Sequence, residues 1–311
     1  MFIEKDRRYF RRYVIRIKAR TVHAAPLPFA AKEGDWSILN ALRKAVRNGK
    51  ASAPQRNGDT IDLIKVEHDA TRELLVLLFH RVSPNAADPA YRRRQANKLS
   101  LRQTKKEIDE EQAVSCHLVI STKLKDGTYP ATLEEIPGLS ASAVLGIVKS
   151  VLHDYKYPYK KGKESLETNT VFKAEGVKAS SLTDALKKKG SLDYLTLTRT
   201  LPPDVPDAGG IAEPQTQRIR YKIVGDPAQA GWQKKFKSFI EGTKATWDHV
   251  SVDITLEDDR HRTVRIDAEK EAAEILFVRS DLVFIKGDLN PCTMKVVPAI
   301  VDAAAKLLKS S

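Results

Sequence analysis

Residues 9–19, YFRRYVIRIKA, alternate between apolar and basic side chains over a length typical of a β-strand. Successive side chains of a strand point to opposite sides, so one face of this strand carries the apolar set Tyr9, Tyr13, Ile15 and Ile17. The other face then carries five cations: Arg8, Arg12, Arg16, Lys18 and Arg20. Cations at this spacing can follow a phosphate backbone, and the alternative is the solvated outer face of a sheet.

Further elements extend outward from this strand. Helical periodicity predicts a helix over residues 36–47, capped by Asp35, and another over residues 141–152. Apolar runs predict strands at residues 60–66, 74–79 and 115–121, and similar elements follow in the second half of the chain. Strands and helices are interspersed without a strict β-α-β rhythm, which favours the α+β class.

Length and composition indicate two folded domains. Single cores usually stop growing near ~250 residues, and this chain has 311. Residues 153–163 contain three tyrosines and four lysines and resemble an exposed connector. We therefore expect an N-terminal domain at residues 1–163 and a C-terminal domain at residues 164–311. Residues 1–20 contain no signal-like apolar stretch and no run suits a membrane span, so we expect a cytoplasmic protein without membrane contact.

Positive charge is concentrated in short runs. Lys and Arg total 53 against 40 Asp and Glu, and residues 5–20 hold eight basic residues and one acid. Residues 92–106 hold seven basic residues and no acid: Arg92, Arg93, Arg94, Lys98, Arg102, Lys105 and Lys106. A helix would place Arg94, Lys98, Arg102 and Lys105 or Lys106 on one stripe, and the alternative is a disordered charged loop. Unpaired charge over such lengths is either solvated or meets an anionic polymer, most often nucleic acid.

A third basic segment alternates aromatic and cationic side chains. Its members are Tyr155, Lys156, Tyr157, Lys160 and Lys161. Aromatic rings stack on bases while lysines contact phosphates, so this segment is also a candidate nucleic-acid site. The alternative is that the tyrosines hold two domains together.

One acidic cluster suggests chemistry. A hairpin over residues 250–267 that buries Val252 and Val264 places Asp253 opposite Asp267, with Glu257 nearby. Carboxylates in this arrangement bind a divalent metal in nucleases, whereas Arg265 offers a salt bridge in its place. No phosphate-cradling, hydrolase-elbow, dinucleotide or zinc-protease motif is present, and Cys116 and His117 point to opposite faces of a strand. The sequence thus favours a binding protein and indicates no catalytic residue, metal or cofactor.

The closing helix has an apolar stripe. The stripe consists of Val297, Ile300, Val301, Ala304 and Leu308. It either packs on its own domain or forms the interface of a homodimer, which presents the basic surface twice.

The order of elements in residues 1–165 resembles a known group of proteins. The chain begins with a strand and a helix introduced by Asp35-Trp36-Ser37-Ile38-Leu39. It continues with a strand ending in Leu-Leu-Val-Leu-Leu-Phe at residues 74–79, a basic stretch and then His117-Leu118-Val119-Ile120. This layout is similar to that of the phage-exclusion proteins of the lambda Rex A type and of the DNA-binding subunits of Kiwa defence systems. The resemblance implies a dimeric, non-catalytic, sequence-tolerant DNA-binding protein of phage defence, with a possible partner protein in that system.

The function expected from the sequence is sequence-tolerant binding of nucleic acid, with double-stranded DNA favoured. The alternatives are a metal-dependent nuclease that uses Asp253, Glu257 and Asp267, and a module whose basic surface binds an acidic protein.

Overall fold

The computed structural model describes residues 3–32, 35–95, 98–181, 191–200, 216–224, 231–243, 246–255, 261–266, 276–278 and 280–309. The chain forms two compact units, Met1–Val177 with Ser280–Ser311, and Lys178–Arg279. Strands outnumber helices among the described residues, and every strand pairing is antiparallel. A predominantly antiparallel sheet structure with added helices is compatible with the α+β class.

An eight-stranded sheet forms the first unit, in the order β11-β1-β8-β7-β4-β3-β2, with β18 also paired to β1. Its strands are β1 (Arg7–Ala19), β2 (Ser52–Pro54), β3 (Thr60–Asp69), β4 (Leu74–Ser83), β7 (Gln112–Ser121), β8 (Tyr129–Glu135), β11 (Thr170–Gly176) and β18 (Ser280–Phe284). Two hairpins accompany the sheet: β5 (Ala90–Gln95) with β6 (Lys98–Gln103), and β9 (Tyr157–Lys161) with β10 (Glu164–Thr168).

Two helices contact each other and the strands β2, β3 and β11. Helix α1 spans Ile38–Arg47 and helix α2 spans Ala141–Asp154. The cap of α1 is Ser37, whose hydroxyl accepts a hydrogen bond from the Asn40 amide at 3.1 Å, and not the predicted Asp35. The predicted elements β1, α1, β3, β4, β7 and α2 are confirmed, because each carries enough apolar residues at one period to be identified locally.

The last helix of the chain, α4 (Pro298–Lys309), packs on the first unit's sheet through a cluster that includes Phe10, Val76 and Val119. These three residues lie on one face of their strands. Leu75, Leu77 and Leu118, on the opposite face, are equally buried. Burial on both faces explains why β4 is apolar without alternation.

The apolar stripe of α4 therefore belongs to the core of its own unit. Ile300, Val301 and Ala304 are all buried there, so the stripe is not a free dimer interface. The expectation of a homodimer through another surface stays a prediction, which light scattering at micromolar concentration tests.

We expect Ile300→Glu to unfold the first unit. The side chain is buried against β1, β4 and β7, and an unpaired carboxylate there costs about 3 kcal/mol or more. Circular dichroism during thermal unfolding measures the loss. If Ile300→Glu gives a stably folded protein with half the parental mass, Ile300 lies in a dimer interface and this packing is wrong.

A charged network lies between the sheet and α4. Arg8 Nε donates to Glu134 Oε1 at 2.8 Å, and His117 Nδ1 lies 2.7 Å from Glu134 Oε2. The Val297 amide donates to His117 Nε2 at 3.2 Å, so the ring carries its own proton on Nδ1 and donates it to Glu134. Burial and the nearby Glu134 charge raise the pKa of the Cys116 thiol well above its usual range. The network therefore links three strands to the start of α4.

The second unit contains a four-stranded sheet in the order β14-β13-β15-β16. Its elements are β12 (Lys178–Ser181), β13 (Ser191–Thr200), β14 (Thr216–Lys222), α3 (Trp232–Thr243), β15 (His249–Thr255), β16 (His261–Ile266) and β17 (Leu276–Val278). Phe236 and Ile240 of α3 pack on Leu195 and Val252, which buries one face of the sheet.

The domain organisation differs from the predicted division at residue 163. β11 and β18 both pair with β1, so the chain leaves the first unit after β11 and returns to it at β18. The predicted connector, residues 153–163, lies inside the first unit as the end of α2 and strand β9. The chain returns to the first unit only after about 100 residues, and no short sequence pattern indicates such a return. No helix in the described parts of the chain is long and apolar enough to cross a membrane.

Candidate nucleic-acid interface

The most basic segment of the chain lies in an arm between two central strands. β4 and β7 pair along their whole length, from Leu74 opposite Ser121 to Ser83 opposite Gln112. A connection of two residues is sufficient for such neighbours, yet residues 84–111 intervene and form the β5–β6 hairpin. Long insertions of this kind usually carry function.

The register of the hairpin divides its arginines between two faces. Tyr91 pairs with Arg102 and Arg93 pairs with Ser100, so Tyr91, Arg93 and Arg102 share one face. The other face carries Arg92, Arg94, Leu99 and Leu101. The Arg102 guanidinium lies over the Tyr91 ring, 5.4 Å from its centroid, and this contact joins the two strands.

Both faces of the hairpin meet solvent. Leu99 and Leu101 are 61% and 66% exposed, so this face of the hairpin is not packed against the rest of the first unit. Arg92, Arg93, Arg94, Arg102 and Lys105 are exposed and form no ion pair with any residue that the structure describes. The side chain of Lys98 lies outside the described set. The arm thus presents at least five cations without an ion pair to a described residue, and four of them lie on its two strands.

The base of the arm is anchored by backbone contacts. Lys106 Nζ donates to the carbonyls of Pro84 and Ala86 at 2.6 and 3.0 Å, and the Thr104 amide donates to Pro89. Lys106 therefore orients the arm. It was predicted to be a cation available to nucleic acid, and that prediction is wrong.

Both alternatives considered for residues 92–106, a helix and a disordered loop, are wrong, because residues 90–95 and 98–103 form paired strands. A helix places Arg94, Lys98 and Arg102 on adjacent turns with no carboxylate between them, whereas the hairpin distributes the arginines over two faces. Leu99 and Leu101 alternate with polar residues, which is a strand pattern. The helical spacing of the basic residues in the same segment made this pattern hard to recognise.

The cationic face predicted for β1 is only partly exposed. Arg8 and Arg12 are each 3% exposed, and they are bound to Glu134 and Asp281 at 2.8 and 2.6 Å. They cannot meet a phosphate, because both are buried and each already binds a carboxylate. Arg16 is exposed but bound to Glu175. Lys18 and Arg20 are exposed, as predicted.

The tyrosines of residues 155–161 are structural in part. Tyr157 is buried and donates its hydroxyl to the Ala25 carbonyl at 3.0 Å, so it cannot stack on a base. Tyr155 lies against Trp36, with ring centroids 5.2 Å apart. The three lysines Lys156, Lys160 and Lys161 are exposed, and Lys161 pairs across β9 and β10 with Glu164.

The acidic hairpin of the second unit has a different register from the predicted one. Asp253 pairs with Thr263 and not with Asp267, since Val252 lies opposite Val264. Its carboxylate accepts hydrogen bonds from Arg220 at 2.8 Å and Thr263 at 2.6 Å. Glu257 and Asp267 lie outside the described residues, as does the side chain of Arg265. Asp253 therefore lies in a salt bridge, but with Arg220, and the expected bridge with Arg265 stays a prediction.

One cationic cluster was missed from the sequence. α1 contains Arg43, Lys44 and Arg47 but no acidic residue, and it lies beside the Trp36–Tyr155 pair. The sequence pattern that could have identified this cluster is a predicted helix whose charged residues are all basic. Lysines and arginines are common on helices, so only the groove that these residues share with Trp36 and Tyr155 distinguishes this helix.

The chain was compared with family models, curated proteins and solved structures, and none of them matches.

Proposed function

We propose that this chain binds nucleic acid, above all double-stranded DNA, through the β5–β6 hairpin and without a required base sequence. The observation that carries the proposal is an exposed two-stranded arm whose arginines have no acidic partner among the described residues. An anionic polymer supplies the missing partners.

The dimensions of the arm suit a DNA groove. Each strand has six residues and extends about 20 Å at ~3.3 Å per residue. The major groove of B-DNA, about 12 Å wide, accepts a two-stranded ribbon. Because arginines lie on both faces, a ribbon in the groove has cations directed toward both phosphate walls. Phosphate contacts carry no sequence information, which is why we expect sequence tolerance.

Exposed cations elsewhere in the first unit add to this charge. Lys18, Arg20, Lys156 and Lys160 are exposed, whereas Arg8, Arg12, Tyr157 and Lys106 are engaged within the protein and are left out of the proposed interface. The nuclease alternative is weakened, because Arg220 and Thr263 occupy the Asp253 carboxylate that a metal needs.

Fluorescence anisotropy with a labelled duplex tests the proposal. We expect log affinity to fall linearly with log salt between ~50 and ~200 mM, with a slope near −0.9 per phosphate neutralised. Two duplexes of unrelated sequence serve as the specificity control. A flat salt response, or no binding at low salt, contradicts the proposal, and magnesium-dependent cutting of the duplex supports the nuclease instead.

We expect the hairpin to exchange its backbone amides faster than β4 and β7. A two-stranded sheet without a packed face is marginally stable, and both faces of this one are exposed. Hydrogen exchange detected by mass spectrometry compares residues 90–103 with residues 74–83. Added duplex DNA is expected to slow exchange in the hairpin and to leave β4 unchanged. Equal protection of hairpin and β4 without DNA contradicts the exposed arm.

We also propose, from the resemblance in the layout of residues 1–165, that DNA binding serves in defence against bacteriophage. Plaque counts on cells that produce the parent chain or a hairpin-neutralised variant test this role. Equal plaque numbers for parent and empty control, over a panel of phages, reject it and leave the DNA-binding proposal intact.

A further inference from the structure

An aromatic pair lies where the start of α1 meets the end of α2. Trp36 precedes the α1 cap Ser37, and Tyr155 is the residue at which α2 ends. The ring centroids are 5.2 Å apart with planes inclined at 58°. Trp36 remains 45% exposed, so much of its ring is open to a ligand. Burial raises the pKa of the Tyr155 phenol, which therefore stays neutral at physiological pH.

Two grooves meet at this pair. One, of about 580 Å³, lies between α1 and strand β3 and is lined by Trp36, Lys44, Arg47 and Tyr155. The other, of about 270 Å³, lies between α1 and the end of α2 and is lined by the same Trp36, Lys44 and Tyr155, with Lys50 and Lys156. Trp36, Lys44 and Tyr155 line both grooves, and the two grooves together are called the trough.

The trough is cationic. Lys44, Arg47, Lys50 and Lys156 are exposed and form no ion pair with a residue in the described ranges. Asp35 and Asp154 are the acids among the residues that line the two grooves. Lys65 is engaged by Glu67 at 3.0 Å and contributes little to an external ligand. The net charge of the trough favours an anion.

We propose that this trough binds an unpaired nucleotide of a single-stranded nucleic acid. The base stacks on the exposed face of Trp36, and Lys44 and Arg47 contact the neighbouring phosphates. Aromatic rings beside cations are the combination that single strands require, because every base offers a stacking face and each linkage offers one negative charge. A duplex hides its base faces, so this site goes beyond the duplex-binding arm and stands independently of it.

Binding of a fluorescent single-stranded oligonucleotide tests the site. We expect Trp36→Ala to weaken single-strand binding by about 5- to 150-fold, the range for loss of one stacked base, and to leave duplex binding unchanged. Trp36→Phe is expected to keep most of the affinity, because a smaller ring still stacks. Equal loss on single strands and duplexes, or no loss on either, overturns the proposal.

A second variant keeps the test decisive if Trp36→Ala does not fold. Lys44→Gln with Arg47→Gln changes two exposed side chains and is expected to lower single-strand affinity and its salt slope by up to about 1.4. The matched control is Lys306→Gln with Lys309→Gln, two exposed lysines on α4 that change the net charge equally. Equal effects of the two pairs overturn the site, because net charge alone then explains the binding.

Competition by a free mononucleotide distinguishes a single strand from a free nucleotide as the ligand of the trough. Displacement of the oligonucleotide only at high millimolar concentration supports a strand as the ligand. Displacement at micromolar concentration overturns the strand and assigns the trough to a free nucleotide. Because the hairpin arginines are unchanged in all these variants, failure here is distinguishable from failure of the duplex-binding proposal.

Discussion

Replacing Arg92, Arg93, Arg94 and Arg102 together by glutamine is expected to lower duplex affinity about 10³-fold at 0.1 M salt. Each phosphate contact releases close to 0.9 counterion, so four lost contacts reduce the salt slope by up to about 3.6. All four side chains are exposed, and exposed substitutions usually change the free energy of unfolding by no more than about 0.5 kcal/mol. Anisotropy titrations at several salt concentrations measure both affinity and slope.

Pair variants sharpen this test. Arg93→Gln with Arg102→Gln changes the face that carries Tyr91, and Arg92→Gln with Arg94→Gln changes the face that carries Leu99 and Leu101. We expect both pairs to weaken binding, because a ribbon within a groove meets phosphates on both sides. The control is again Lys306→Gln with Lys309→Gln. If the fourfold variant keeps the parental affinity and salt slope, the arginines of the arm only face solvent and do not contact DNA.

Glu134→Gln is expected to lower the free energy of unfolding by about 3 to 5 kcal/mol. The Glu134 carboxylate is buried with Arg8 and His117, and its removal leaves the Arg8 charge without a counter-ion in the core. Urea unfolding followed by circular dichroism measures the change.

The matched control for this variant is Glu175→Gln. Its carboxylate also pairs with an arginine of β1, Arg16, at 2.6 Å, but both side chains are about half exposed. Solvent screens such a pair, and we expect its loss to cost less than about 1 kcal/mol. Adding Arg8→Met to Glu134→Gln is expected to restore part of the stability, because it removes the stranded charge. Equal costs for Glu134→Gln and Glu175→Gln contradict the buried network.

Several elements could be predicted from local pattern alone. The alternation of residues 9–19, the helical period of α1 and α2 and the apolar run of β4 each identify their element within about ten residues. The arm was not predicted in the same way. Its charge pattern fits a helix by spacing, and only the pairing of β5 with β6 shows that the segment is extended.

The sequence by itself determined where the strongly periodic elements β1, β4, α1 and α2 lie and how much positive charge each segment carries, because periodicity and charge are properties of neighbouring residues. The tertiary structure decided which of those charges remain available. Arg8 and Arg12 find their carboxylates 126 and 269 residues away, whereas the arginines of the arm find none among the described residues. Trp36 likewise meets Tyr155 only when α1 packs beside α2. Such partners are brought together by the return of distant strands and helices, and no local pattern contains them.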